Sequence, residues 1–366
     1  MTAEHGRFFL PGPTEVHPDV LDALRRPMIG HRSPAMVDLL RQIQPALRAL
    51  FRTTRPVMVG TCSATGFMEM AVRSGVRQRV LSLVGGAFGL RFAKIAKACG
   101  RQVVQLEVPY GQTIEPDMLR DALVRSHVDA VTLVHSETST GALAPLEELA
   151  AVIGEFEGVV SLVDAVTSLG GSPVETDRWN LDFVLTGSQK ALALPPGLAF
   201  GVASERMVDR AKRVVERGVY LDLLSQMEAA EQHRPVNTPA LSLFYALERQ
   251  LQRIAAEGGI EARWARHREM LDTVQRWIQE KGVALGVEYL PEEHRRSWTV
   301  SCLSLLGDQT GTDVTNRVAR AGWTIGAGYG TLKDSSIRIG HMGDHTIVRL
   351  QELLAVVEEA IACHTS

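Results

Sequence analysis

The chain has 366 residues, of which 45% are apolar and 22% charged, with a formal net charge of −3. That length and balance suit a globular fold of one large or two ordinary domains. The charge gives no electrostatic case for nucleic acid or an anionic membrane, and no apolar run reaches the roughly 18–20 residues of a membrane span.

The N-terminus lacks a basic start followed by an apolar stretch, so a cytoplasmic location is expected. Cys62, Cys99, Cys302 and Cys363 are far apart and form no CxxC pair. Neither a zinc site nor a disulfide framework is expected, and no metal.

In chain order, Met36, Leu39, Leu40, Ile43 and Leu47 follow a helical period, with a kink expected at Pro45. A strand-like run at 56–59 precedes a helical run at 67–73. Further β-rich runs recur at 80–84, 102–108, 130–135, 159–163, 183–186 and 199–203. Between them Leu146, Leu149, Val152 and Ile153 repeat at helical spacing, with Gly158 as the stop. Continuous apolar strands separated by amphipathic helices predict an α/β fold: a mostly parallel sheet between helices. After about residue 240 the pattern changes. Residues 242–280 read as long amphipathic helix, broken near Gly258-Gly259, with Met270, Leu271, Val274, Trp277 and Ile278 as an apolar stripe. Strand-like 299–305, helical 313–321 and strand-like 336–339 follow. A last helix carries Ile347, Leu350, Leu353, Leu354, Val357 and Ile361 on one face. The predicted organisation is an N-terminal arm (1–15), a large domain (16–255) and a smaller C-terminal α+β domain (256–366).

The chemistry centres on Asp164, which ends an apolar strand, and Lys190, 26 residues later in a Gly-containing turn after the next strand. In parallel sheets, strand C-terminal ends are where ligands sit. A carboxylate there pairs with a protonated heterocyclic nitrogen. A desolvated lysine has a lowered pKa, so its amine can attack an aldehyde. Together they form the minimal set for pyridoxal phosphate: a Schiff-base lysine and a partner for the pyridinium nitrogen. Taken alone, the pair equally suits a helix-capping Asp and a solvated Lys.

Three more strand ends add compatible groups. Cys62-Ser63-Ala64-Thr65-Gly66 opens a helix with small residues and two hydroxyls, a phosphate cradle or an ordinary N-cap. Gly85-Gly86-Ala87-Phe88-Gly89 holds an aromatic that would stack on a flat ring or pack in the core. His135-Ser136-Glu137-Thr138-Ser139-Thr140-Gly141 offers hydroxyls to a cofactor oxygen or to its own turn.

At this point the chain resembles the class V, fold-type I pyridoxal-phosphate aminotransferases, in particular the alanine–glyoxylate and serine–glyoxylate group. The resemblance runs through Leu10-Pro-Gly-Pro-Thr14, Gly30-His-Arg-Ser-Pro34, Ser63-Ala-Thr-Gly66, Ser136-Glu-Thr-Ser-Thr-Gly141 and Val163-Asp-Ala165. It continues in Gly187-Ser-Gln-Lys-Ala-Leu192, Pro195-Pro-Gly197, Tyr220-Leu-Asp222, Asn237-Thr-Pro239 and Arg338-Ile-Gly-His-Met-Gly343. It implies that Lys190 carries the cofactor and moves the substrate α-proton, while Asp164 binds the ring nitrogen. Phe88, where many relatives have Trp, would stack on the ring, and Thr138 would touch its phenolic oxygen. Ser63, Ala64, Thr65 and Gln189 would hold the phosphate. Thr238 would reach the phosphate of a second subunit in a homodimer with shared sites, although the aromatic usual just before it is replaced near Pro235. Arg338 would clamp the substrate carboxylate, as its bidentate fork suits. His341 and Asp344 are expected to be structural.

The expected reaction is a ping-pong transamination from alanine or serine to glyoxylate or pyruvate. Aspartate or 2-aminoethylphosphonate as donor is the alternative within the fold. A cysteine desulfurase or related lyase needs a reactive thiol on a mobile loop, a context that neither Cys62 nor Cys302 has. A nucleotide-binding module would show G-x-G-x-x-G after its first strand, and that motif is absent.

Overall fold

The computed structural model describes residues 5–362; Cys363 and the three residues after it lie outside them. The apolar runs form strands β1 (Met58–Gly60), β2 (Arg79–Val84), β3 (Gln102–Glu107) and β4 (Ala130–Val134). A small hairpin of β5 (Ser136–Glu137) and β6 (Ala142–Leu143) follows, then β7 (Val160–Asp164), β8 (Phe183–Gly187) and β9 (Ala199–Ala203). All but the hairpin join one sheet in the order β1-β9-β8-β7-β4-β2-β3. The run from β3 to β8 is parallel, and β9 is antiparallel to both its neighbours. Every residue of β7, β8 and β9 is buried, as strands covered on both faces require.

The covering helices are α1 (Pro18–Ala23), α2 (Pro34–Phe51), α3 (Ala64–Gly75), α4 (Ala87–Ala98), α5 (Pro116–Ser126), α6 (Leu146–Gly154), α7 (Glu205–Lys212), α8 (Leu223–Glu231) and α9 (Leu241–Ala256). Strand residues alternate between two cores. Leu81, Val131, Val163 and Val184 pack with α2, α5, α6 and α9, whereas Val80, Ala130, Leu162 and Leu185 pack with α3, α4, α7 and α8. Helix α2 is unbroken across Pro45. The Gln44 amide ties that turn to Val57, donating to its carbonyl at 2.7 Å and accepting from its N–H at 3.1 Å. The stop predicted at Gly158 comes earlier, because α6 ends at Gly154.

Gly258 (φ 111°) and Gly259 (φ 85°) break the long helical stretch, since left-handed backbone cannot continue a helix. Beyond them α10 (Gly259–Trp277), α11 (Gly311–Arg320) and α12 (Ile347–Ala362) pack on a second, antiparallel sheet. Its strands are β10 (Val287–Tyr289), β11 (Ser301–Leu305), β12 (Gly326–Ala327) and β13 (Ser336–Ile339), in the order β10-β11-β13-β12. This sheet has its own core, into which the N-terminal Phe9 inserts. The Phe9 N–H donates to the Thr324 carbonyl and the Phe9 carbonyl accepts from the Gly340 N–H, each at 2.8 Å. Five residues on, the Thr14 N–H donates to the Gln189 carbonyl at 2.9 Å. The start of the chain thus straps the second sheet to the turn that carries Lys190.

Candidate active site

The C-terminal ends of β4, β7 and β8 open at one edge of the main sheet, facing the first turns of α3 and α4. Ser63, Ala64, Thr65, Phe88, Thr138, Asp164, Gln189 and Lys190 line a single cavity there, of about 140 Å³. A wider cleft of about 970 Å³ lies at the opposite edge, around Arg55, Arg178 and Arg206. Its guanidinium groups are already paired, with Asp177, Glu147 and Asp182 respectively, so it offers no comparable chemistry.

Asp164 is the last residue of β7 and is buried. One carboxylate oxygen accepts from the Val166 N–H at 2.8 Å. Burial outweighs that bond and pushes the carboxyl up to about 6. A desolvated carboxylate of this kind is stabilised by a cationic partner.

Lys190 sits in the turn after β8 and is buried. The turn is closed by bonds from the Ala193 N–H to the Lys190 carbonyl (2.8 Å) and from the Leu194 N–H to the Ser188 carbonyl (3.0 Å). The Lys190 ammonium donates to the Pro11 carbonyl in the N-terminal strap. A Cβ on Gly12 would overlap the end of the lysine, so that position requires glycine. Burial, aided by the charge of Arg338, lowers the Lys190 ammonium to about 8.

Phe88 lies in the first turn of α4, its ring centroid 6.0 Å from the Lys190 nitrogen and 5.8 Å from the Tyr329 ring. The Thr138 hydroxyl bonds that of Thr167 at 2.5 Å. Ser63 is the N-cap of α3 but makes no capping bond with its side chain, and α3 has no acid in its first turn. The first N–H groups of a helix have no intrahelical acceptor, so this end suits an anion. Arg338, on β13, is fixed by bonds from Nε to the Ala327 carbonyl (3.0 Å) and from Nη1 to the Thr138 carbonyl (3.2 Å). Its guanidinium has no ion pair among the described residues and lies 5.4 Å from the Tyr329 ring. Thr238 is exposed and lies outside the cavity. Its segment docks beside α3 through a bond from the Ala240 N–H to the Thr61 hydroxyl at 3.0 Å.

Two groups at this site escaped the sequence reading as functional residues. Glu137 is buried, and one of its oxygens accepts from the N–H groups of both Phe88 and Gly89 at 3.1 Å. Its other oxygen accepts from the N–H and hydroxyl of Ser139. It supplies the carboxylate that α4 lacks in its own first turn. That missing acid was the one available signal. Arg91 also lines the cavity and lies 4.6 Å from the Phe88 centroid. His341, by contrast, bonds Ser301 at 2.9 Å, and Asp344 pairs with Arg263 at 2.9 Å, away from the cavity. The thiols of Cys62 and Cys302 are pushed up to about 11 by burial, the opposite of a reactive thiolate.

A buried carboxylate with no ion pair among the described residues, an amine biased towards neutrality, an aromatic cover and an open helix N-terminus fit a phosphorylated aldehyde built on a protonatable ring. The family model for class V aminotransferases matches residues 87–340. The chain belongs to the class V aminotransferases. It is a pyridoxal-phosphate-dependent aminotransferase with the fold-type I architecture of that family.

This class V aminotransferase is 35% identical, over 360 residues, to an uncharacterised aminotransferase of Methanocaldococcus jannaschii; the match covers 96% of this chain and 91% of that protein. Among solved structures, an aspartate aminotransferase of subgroup IV from Thermus thermophilus matches with TM-score 0.88 and 31% identity, covering 97% of this chain and 99% of that one. An alanine–glyoxylate aminotransferase from a Nostoc species matches with TM-score 0.91 and 30% identity, covering 99% and 96%.

Proposed function

We propose that this enzyme moves an amino group from alanine or serine to glyoxylate or pyruvate, using pyridoxal phosphate held on Lys190. The observation that carries this reading is the burial of Lys190 and Asp164 in one cavity, with the amine lowered and the carboxyl raised. The cofactor, when bound, supplies an aldehyde that condenses with amines and a ring that withdraws electrons from the substrate α-carbon.

The residues divide the remaining work. Asp164 would hold a proton on the ring nitrogen, because a buried carboxylate gains from a cation beside it. Ser63, Ala64, Thr65 and Gln189 hold the phosphate at the start of α3, and Thr238 serves the phosphate of a partner in a homodimer. Phe88 covers one face of the ring, and the Thr138 hydroxyl meets its phenolic oxygen. Arg338 holds the α-carboxylate of the donor and then of the acceptor. Lys190 Nζ, lowered by burial, would serve when free as the base that takes the α-proton. Transamination then requires a proton at the former aldehyde carbon, and the same amine would deliver it there. The strap residue Pro11 and the Phe88 ring limit water around that nitrogen.

A second reading rests on Arg91. It lines the cavity and has no ion pair among the described residues. It would hold the distal anionic group of aspartate, and the Thermus structure at 31% identity is an aspartate aminotransferase.

The test is the absorption spectrum of the purified enzyme, followed by borohydride and peptide mass spectrometry. A near-visible band and a pyridoxyl label on Lys190 are expected; a label elsewhere refutes the assignment. Alanine, serine, aspartate and 2-aminoethylphosphonate are then compared by the rate at which each bleaches the band. Bleaching by aspartate alone favours the second reading over the first.

A further inference from the structure

Arg263 is 1% exposed, although it carries a charge. It lies in the first half of α10, outside the cavity, and each of its three side-chain nitrogens has an acceptor. Nε and Nη2 both reach the carbonyl of Ala191, at 3.3 and 2.8 Å. Nη2 also lies 2.9 Å from a carboxylate oxygen of Asp344, and Nη1 donates to Glu257 at 3.0 Å. Ala191 is the residue after Lys190. Asp344 lies in the loop that leaves β13 after Arg338.

The neighbouring helix positions grip the same loop. Arg266 donates to the carbonyls of Gly343 (3.0 Å) and His345 (2.6 Å). His267 Nδ1 bonds the Arg263 carbonyl at 2.7 Å, while its Nε2 accepts from the Gly343 N–H at 3.1 Å. That pattern requires neutral histidine with the proton on Nδ1, and burial keeps it neutral. Across the contact, a Cβ on Gly343 would press on Ala193, the left-handed residue of the lysine turn.

We propose that Arg263 is a positioning residue that sets Lys190 and Arg338 against each other. Both the proton-moving amine and the carboxylate anchor are referenced to one buried guanidinium. The lysine turn hangs from the main sheet and the anchor strand from the second sheet, and Arg263 adds to the N-terminal strap and the Arg338–Thr138 bond a direct tie between the two loops. The shared contacts fix that spacing through a carbonyl on one side and a carboxylate on the other. The inference rests on the transaminase reading above.

The test uses the holoenzyme of the wild type, Arg263→Lys, Arg263→Met and Asp344→Asn. Lysine keeps the charge opposite Asp344 but cannot hold Ala191 with two donors. Arg263→Lys should lower kcat by about tenfold or more, since small misplacements of a reacting group are that costly. The donor KM should change much less, and the kinetic isotope effect with Cα-deuterated donor should rise, because proton removal becomes the slower step. Asp344→Asn should instead raise the donor KM, through the loop beyond Arg338. Amide hydrogen exchange should quicken in residues 188–194 and 341–345 of each variant and not in the strands of the main sheet. A folded Arg263→Lys enzyme with wild-type kcat and isotope effect overturns the proposal. Should both Arg263 variants fail to fold, unchanged exchange at 188–194 in Asp344→Asn overturns it. A wild type that bleaches with no donor sinks the transaminase reading instead, and leaves the exchange experiment to judge the clamp.

Discussion

Pro11 and Lys190 stand 179 residues apart in sequence, yet the carbonyl of the first accepts from the side-chain nitrogen of the second. Burial and then Arg338 favour the free amine, the charges of Asp164 and Glu137 oppose them, and the balance falls at about 8. The donor half-reaction uses the free amine as base. With Lys190 as that base, the rate followed by stopped-flow bleaching should rise with pH as the amine loses its proton and then level off. A flat profile from pH 6 to 9 would remove Lys190 as the base whose protonation limits the step.

The same shift acts on stability in the cofactor-free protein. The folded Lys190 titrates at about 8, below the ordinary lysine value of 10.5. Between those values the unfolded chain binds more protons, so this residue makes stability rise with pH there. Relative to wild type, Lys190→Met should lose that rise. Urea unfolding of both cofactor-free proteins at pH 7.5 and 10 would measure it.

Asp164 shows the opposite sign. Its folded carboxyl sits at about 6, above the ordinary aspartate value of 3.8. Its contribution to stability is full below pH 3.8 and is lost as pH rises through about 6. Cofactor-free Asp164→Asn should gain stability relative to wild type across that window, by thermal melts at pH 4 and 7. The loaded variant should turn over on the order of 100-fold more slowly, the scale for losing a preorganised charge at a reacting centre. A variant that is more stable and equally active would contradict the role of Asp164 at the ring nitrogen.

Glu137→Gln replaces a carboxylate that accepts four bonds with an amide that must present N–H groups to some of the same donors. A buried donor left unsatisfied costs roughly 1–3 kcal/mol. Chemical denaturation should show a loss of that order, and the cofactor should dissociate faster, because the first turn of α4 carries Phe88. Unchanged stability together with unchanged cofactor release would mean that the cap does not hold the ring platform.

Arg338→Lys keeps the positive charge and loses the bidentate fork. The KM for the amino donor should rise by about tenfold or more, the scale of a lost charge-assisted hydrogen bond. Bleaching rates across donor concentrations measure it. If aspartate binding is affected equally by Arg91→Ala, the second anchor is also in use.

Much of the cavity was legible in the sequence because its chemistry sits on single residues at strand ends. Asp164 and Lys190 could be paired once two consecutive apolar runs were read as neighbours in a parallel sheet, and β7 and β8 do pair that way. The break at Gly258-Gly259 was equally clear, since two glycines interrupt an otherwise continuous stripe. What stayed hidden depends on contacts that only the fold makes. Glu137 meets Phe88 across 49 residues and Arg263 meets Ala191 across 72. No local period encodes either contact. The antiparallel setting of β9 was hidden for a different reason: a strand buried on both faces carries the same apolar run in either direction. Pro45 misled in its turn, because a rule for isolated helices gave no weight to the Gln44–Val57 bonds that hold α2 in place.

The strap also constrains the order in which the protein can be made. Its acceptors and donors are Thr324, Gly340 and Gln189, so residues 9–14 have no seat until Gly340 has been made. Domains generally form in the order of their synthesis. Here, however, the lysine turn waits for the last strand of the second sheet before its cover can close. Catalytic competence therefore waits for Gly340, and a nascent chain arrested before it should leave Lys190 open to amine-reactive reagents.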